Sequence, residues 1–245
     1  MKKDLTYTQN GSAIFIILIA IALFAALSFV VGGMLRGGGA DVGASEKRTM
    51  MIGEMLDYSR KMKLAIQQMR IANDCDDDEI SFSQASGDAY EYSSPLDDSC
   101  KVFEIAGGNM SSFAIDSSLL VDSSGLSKTT GYGEMHFTGE ADIDTVGSSC
   151  GGGGSSSCRD LLLLVPYLKK DVCDEINTKL SIDNYASIDI DGHDYADSDK
   201  FTGTYGSSTG ASIGDGTSYL DGKTVGCFSE TDHPSYTFFQ VLIAR

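Results

Sequence analysis

Basic side chains are scarce in this 245-residue chain: 18 Lys and Arg stand against 35 Asp and Glu, for a formal net charge of −17. No Lys/Arg cluster interleaved with aromatics occurs anywhere, and such an acidic surface repels phosphate backbones, which excludes nucleic acid as a partner class; anionic headgroups are repelled in the same way. Tryptophan is absent and proline occurs three times, against 28 glycines. No C-x-x-C pair exists, and His136, His193 and His233 show no ligand spacing, so a zinc site is not indicated. Phosphate-cradling loops, metal-hydrolase signatures and catalytic triads are missing too, and the chain is read as a non-enzyme. The segment GSSCG, residues 147–151, satisfies G-x-S-x-G with Ser149 at its centre. A nucleophile elbow needs a strand before it and a helix directly after, whereas here Gly and Ser continue for several residues more. Cys227 and His233 could be paired as thiol and base, but a disulfide is the more economical role for that cysteine.

Charge is also missing between Gly11 and Leu35, and within that stretch residues 13–31 are almost unbroken Ile, Leu, Ala, Phe and Val. At about 1.5 Å per residue, a helix of this length spans roughly 30 Å, the thickness of a bilayer's hydrocarbon core. Lys2 and Lys3 precede it and the acidic bulk follows, which places the N-terminus in the cytoplasm and the remainder outside. A cleaved secretory signal has a shorter apolar region with a small-x-small site soon after it; the best such site here, ending at Ala44, is well removed from Val31. No cysteine lies near the segment to serve a lipobox.

The six cysteines, Cys75, Cys100, Cys150, Cys158, Cys173 and Cys227, all follow the apolar segment. An even count on one side of a membrane-length stretch points to disulfides made in an oxidising compartment. Sequence does not choose among the pairings; joining neighbours gives Cys75 with Cys100, Cys150 with Cys158 and Cys173 with Cys227, each contributing roughly 2 to 4 kcal/mol.

Downstream, RGGGADVGA at residues 36–44 is a glycine-weakened interruption, centred on Gly37 to Gly39. A second helix is expected over residues 45–72, capped by Ser45, with Met51, Ile52, Met55, Leu56, Met62, Ile66 and Met69 forming one apolar stripe. Residues 73–245 read as a β-rich domain. Strands are expected in KVFEI from Lys101, SFAI from Ser112, SLLV from Ser118, EMHFTG from Glu134, YLDGKTVGCF from Tyr219 and YTFFQVLIA from Tyr236, with Asp221 and Gly222 as a hairpin turn. A third helix is expected over residues 158–177, with Pro166 marking a kink or junction. The fold class is therefore α+β: a long N-terminal membrane-spanning and amphipathic helix packed on an antiparallel, disulfide-bonded domain.

One acidic run, DIDGHDYADSD, sets Asp189, Asp191, Asp194, Asp197 and Asp199 close together. Crowded carboxylates repel unless a hard cation sits among them, and calcium suits such a loop. The pattern departs from an EF-hand, because aligning Gly192 with the loop glycine puts Ser198 where a bidentate Glu belongs. A solvated acidic loop is the plainer alternative.

The order of a Lys-bearing leader, a Gly, a long apolar helix, an amphipathic continuation and a Cys-bridged β-rich domain resembles the type IV pilin and pseudopilin superfamily, in particular its pilin-like bacterial members. The likeness covers the layout of the whole chain, but its sequence-specific part is GSAIFIILIAIALFAALSFVV and the VLIAR ending. The resemblance implies a leader over residues 1–11, cut by a prepilin peptidase after Gly11 to leave Ser12 first. It implies a membrane and filament-core helix over residues 12–35, assembling through Ala13, Ile16, Ala20, Phe24, Leu27 and Val31, and partners among copies of itself or related pilins with their assembly machinery. The inner membrane would hold the chain before it enters an extracellular or periplasmic filament. Family members generally carry Glu at the fifth position after the cut, where this chain has Ile16. A carboxylate there needs a partner charge, and that need sets the register between subunits. Without it, association rests on apolar packing, with Ala20, Ala22, Ala25 and Ala26 permitting close approach; a minor pilin, a pseudopilin or a filament of different registration is left open. The alternatives are a monomeric, single-pass anchored extracytoplasmic binding domain and a secreted domain freed of its anchor.

Overall fold

The computed structural model describes residues 12–37, 39–92, 97–126, 129, 131–143, 145–148, 158–182, 200–206, 212–214, 219–229 and 236–245. The chain divides into two compact units, Met1–Lys47 and Arg48–Arg245. In the first, helix α1 runs Ser12–Gly37. It is apolar all round rather than along one stripe, and a helix satisfies its own backbone polar groups where no water can.

Helix α2, Gly39–Ala72, starts earlier than the sequence predicts. Gly37 closes α1 and Gly39 opens α2, while Gly38, the centre of the expected interruption, lies outside the described residues; residues 39–44 are already helical, so Ser45 lies inside the helix and is not its cap. Glycine lowers helix propensity by about 1 kcal/mol without forbidding the conformation, and extending a helix costs far less than nucleating one.

Within the second unit, Met51, Ile52, Met55, Leu56, Met62, Ile66 and Met69 are all buried, so the three-and-four spacing reads the buried face correctly. They share one cluster with Phe82, Phe137, Leu161, Leu163, Val165 and Phe238. Past the helix end, Asn73 donates its side-chain N–H to Ser99 O at 2.8 Å, and the Cys75–Cys100 disulfide ties the following turn to the same segment. That loop folds back tightly: a Cβ on Gly107 would meet Lys101 O at 2.1 Å, so only glycine fits.

Strand β1, His136–Thr138, is followed by β2, Asp142–Ile143, and by β3, Leu161–Leu168. Helix α3 spans Lys170–Lys179, then come β4, Ser212–Ile213, β5, Val225–Ser229, and β6, Tyr236–Ile243. Four strands make an antiparallel sheet in the order β1-β3-β6-β5, while β2 and β4 form a short parallel pair. Leu161, Leu163 and Val165 face the α2 cluster; Leu162 and Leu164 face a second cluster with Ile143, Ile213, Phe228, Phe239 and Val241.

That double burial corrects the third helix. Residues 161–168 are a strand, and the helix begins only at Lys170. A strand covered on both faces reads as an unbroken apolar run, which periodicity cannot separate from a buried helix. Pro166 kinks no helix. It sits where the β3–β6 register shifts between Val165 and Leu168, a bulge that tolerates a residue without an N–H, and Tyr167 there takes φ 64°.

Other expectations also change. The strands at Glu134 and Tyr236 form, as β1 and β6. Lys101 makes only an isolated bridge to Ser81, residues 112–115 form no strand, and Ser117–Leu119 is a single 3-10 turn followed by a bridge from Leu120 to Leu168. The cause is a repeated Asp-x-Ser: the carboxylates of Asp97, Asp116 and Asp122 accept the N–H of Ser99, Ser118 and Ser124 at 3.0, 2.8 and 2.9 Å, each capping a 3-10 turn instead of feeding a ladder. Those N–H bonds hold Asp97 and Asp122 below the usual carboxylate range. Asp221 and Gly222 do make a turn, with Gly222 at φ 67°, but it leads into β5, whose partner is β6; no hairpin closes across it among the described residues.

Candidate functional site

Helix α1 is the most conspicuous surface. Ile14–Gly32, 19 residues of mean hydropathy 3.2, has none of its length buried. Of the residues proposed for assembly, Ile16 is 61% exposed, Phe24 74%, Leu27 64% and Val31 47%, and Ala20 is exposed with them. Ser12 opens the helix; Gly11 and the side chain of Ala13 lie outside the described residues. Fully burying one Leu, Ile, Val or Phe side chain is worth about 1.5 to 3 kcal/mol, so a bare stretch of this length in water costs tens of kcal/mol. By length and composition the helix could cross a membrane. Ala22 and Ala26, one turn apart, are both exposed and permit a close backbone approach.

The second unit carries a cleft of about 470 Å³ between α2, the 84–90 loop, the 112–114 segment and the start of β1. Tyr58 and Phe113 stack in its wall with centroids 4.8 Å apart, and the Tyr58 hydroxyl donates to Ser111 O at 2.7 Å. Burial pushes the Tyr58 phenol up to about 12. Tyr90 meets Phe137 edge-on at 5.6 Å; its hydroxyl accepts the Phe137 N–H at 3.1 Å, which locks the ring. Asp88 holds the loop: its carboxylate accepts backbone N–H groups from Gln84, Ala85 and Tyr90 at 2.6, 3.1 and 2.9 Å. These bonds keep it ionised below the ordinary carboxylate range, against the opposing effect of its own desolvation. Lys200 closes one side, with Nζ 4.8 Å from the Tyr90 centroid and 3.6 Å from the Glu134 carboxylate.

A buried polar cluster includes Asp142 of β2. Arg159 and Asp142 form an ion pair with both side chains 1% exposed. Beside them Asp160 accepts N–H groups from Ile143 and Arg245, each at 3.0 Å. Desolvation outweighs those bonds and, with the Asp142 charge adding to it, raises Asp160 to about 6. Arg245 reaches Asp77 at 2.7 Å and lies 3.8 Å over the Tyr205 ring. These are joints between distant parts of the chain.

Cys75 is bonded to Cys100 and Cys173 to Cys227, pairs of sequence neighbours. Cys227 is therefore no thiol nucleophile. Cys158 is disulfide-bonded as well, while Cys150 lies outside the described residues. So do Ser149, His233 and the calcium candidates Asp189, Asp191, Asp194, Asp197 and Asp199. Among the described residues no group of three or more His, Cys, Asp or Glu could hold a metal ion.

The cleft was not legible in sequence. Phe103 and Phe113 were read as strand residues, and Tyr58, Tyr90 and Lys200 converge only through tertiary contacts. What the geometry defines is an α+β, disulfide-bonded globular unit with a membrane-length apolar helix at its N-terminal side. No family model matches the chain, and neither a curated protein nor a solved structure matches it.

Proposed function

We propose that this chain is a structural subunit of a type IV pilus-like or pseudopilus-like filament, assembling through α1. One observation carries the reading: Ile14–Gly32 is wholly uncovered while the second unit buries two apolar clusters of its own. The acidic unit needs nothing from α1 to complete its core, so the helix is free to be held in lipid and then among copies of itself. The disulfides fit a unit that matures outside the cytoplasm. The layout that resembles pilins supplies the processing step, a cut between Gly11 and Ser12.

A mass measurement of the native N-terminus, together with electron microscopy of material sheared from cells, tests the proposal. Ser12 as the first residue, and fibres that cross-link through cysteines placed at Ala20 and Leu27, would support it. A native chain that keeps Met1 or Lys2 and stays solitary would favour instead an anchored, monomeric binding domain, for which the aromatic cleft is the supporting observation. A first residue near Ser45 would sink both.

A further inference from the structure

We propose that the cleft between α2 and the 84–90 loop binds an organic cation, a quaternary or alkyl ammonium group, on its aromatic wall. The geometry argues for this class in three ways. The lining carries the rings of Tyr58, Phe103, Phe113 and Tyr90, with Phe137, itself stacked on Phe82 at 3.9 Å, meeting Tyr90 edge-on, and ring faces attract cations within about 6 Å of their centroids. The charges of the lining are two carboxylates, Asp88 and Glu134, against one ammonium, Lys200, in a region where residues 73–245 hold 9 Lys and Arg against 30 Asp and Glu. That field repels anions and draws cations in. Finally, the cleft already seats a cation of its own: the Lys200 ammonium lies 4.8 Å from the Tyr90 centroid and 3.6 Å from Glu134.

Lys200 thus marks the chemistry the wall accepts and competes for part of it. Asp88 contributes charge, its carboxylate already accepting three backbone N–H groups. Recognition by ring faces needs no directional donor, which suits a methylated ammonium better than a sugar or a carboxylate. A volume of about 470 Å³ has room for such a group together with its attached chain.

Choline and its uncharged isostere 3,3-dimethyl-1-butanol separate charge from shape. Titrated into the full chain in detergent and followed by saturation-transfer NMR, choline is expected to bind saturably and the isostere about tenfold more weakly or not at all. Phe113→Leu, which keeps an apolar side chain but removes the ring face, is expected to abolish the choline signal. Lys200→Met is expected to tighten choline binding about threefold, because the resident ammonium no longer holds Tyr90 and Glu134. The last result excludes a merely structural role for Lys200, since loss of packing would weaken binding. The proposal is overturned if choline fails to saturate, if the two ligands bind alike, if Phe113→Leu binds as the parent does, or if Lys200→Met leaves affinity unchanged or lowers it. Filament assembly plays no part in these readouts, so this inference and the proposed function fail separately.

Discussion

Helix α1 and strand β3 are both nearly unbroken apolar runs, yet Ile14–Gly32 has none of its length buried and Leu161–Leu168 has all of it buried. Composition hardly distinguishes them. Cover does: eight residues of strand are covered on both faces within one unit, whereas the 19 helical residues have none of their length buried and are long and apolar enough to cross a membrane. An apolar run is a demand for cover, which β3 finds within its own unit and Ile14–Gly32 does not.

The contrast is broken most sharply by making one substitution in both places. Leu163→Ala, in β3, should destabilise the second unit by about 2 to 5 kcal/mol, the range for deleting a fully buried leucine side chain. Leu27→Ala, in α1, should leave the unfolding of that unit within about 0.5 kcal/mol, as surface changes do. Denaturant unfolding in detergent, followed by near-ultraviolet dichroism of the tyrosines, measures both. Equal losses at the two sites would mean that α1 belongs to the core after all. Leu27→Asp extends the comparison to assembly, since a carboxylate at mid-helix costs about 2.5 to 3.5 kcal/mol in apolar surroundings, which should weaken self-association while the remaining apolar residues keep the chain in the membrane.

Next in size comes the Cys173–Cys227 bridge, which joins α3 to β5 across a separation of 54 residues. Replacing both cysteines with Ala should cost about 4 kcal/mol in the second unit; the Cys75–Cys100 bridge, with a separation of 25, should cost slightly less, about 3.5 kcal/mol. Neither change should alter α1's association. Thermal unfolding against light scattering reads the two properties side by side.

The comparison also explains what could be read in advance. The α2 stripe was legible because one face is buried and the other wet, which imprints a period of three and four on Met51 to Met69. β3 was not, because burying Leu162 and Leu164 on one face and Leu161 and Leu163 on the other erases the period of two. The capped turns after Asp97, Asp116 and Asp122 carried a usable signal, Asp followed two residues later by Ser, which the short apolar pieces beside them outweighed. The cleft left no such trace: Tyr58 and Phe113, or Tyr90 and Lys200, are neighbours only once the domain has closed.

Acid should separate the two regions as well. The α1 stretch from Ser12 to Leu35 has no ionisable side chain, so its self-association should not vary between pH 7 and 5. The second unit should. Asp160 is raised to about 6 from a usual 3.8, chiefly by desolvation, so the folded state holds a proton that the unfolded chain releases. Its contribution is fully present below pH 3.8 and is lost as pH rises through about 6. Taking the unit from pH 7 to 5 should therefore add about 1 kcal/mol from this group. Asp88, Asp97 and Asp122, held below the usual carboxylate range, act weakly in the opposite direction as the pH falls, so Asp160→Asn is the control. The variant should lose that part of the pH dependence while retaining the rest, and an unaltered profile would show that Asp160 does not titrate there.

The smallest effect lies at the first residue of the second unit. Arg48 donates from Nε to Glu175 at 3.1 Å and also pairs with Asp171, joining the start of this unit's share of α2 to helix α3. Its side chain is 34% exposed and that of Asp171 56%, so water screens much of the attraction. Arg48→Met, which keeps the apolar stem, should cost only about 0.5 kcal/mol in the second unit. Raising the salt concentration should shrink the difference between parent and variant, because a screened pair has less to lose. A loss several times larger and indifferent to salt would mean that α2 needs this clamp to hold its buried face in place. The boundary between self-covered and externally covered surface would then depend on an ion pair rather than on the methionine stripe alone.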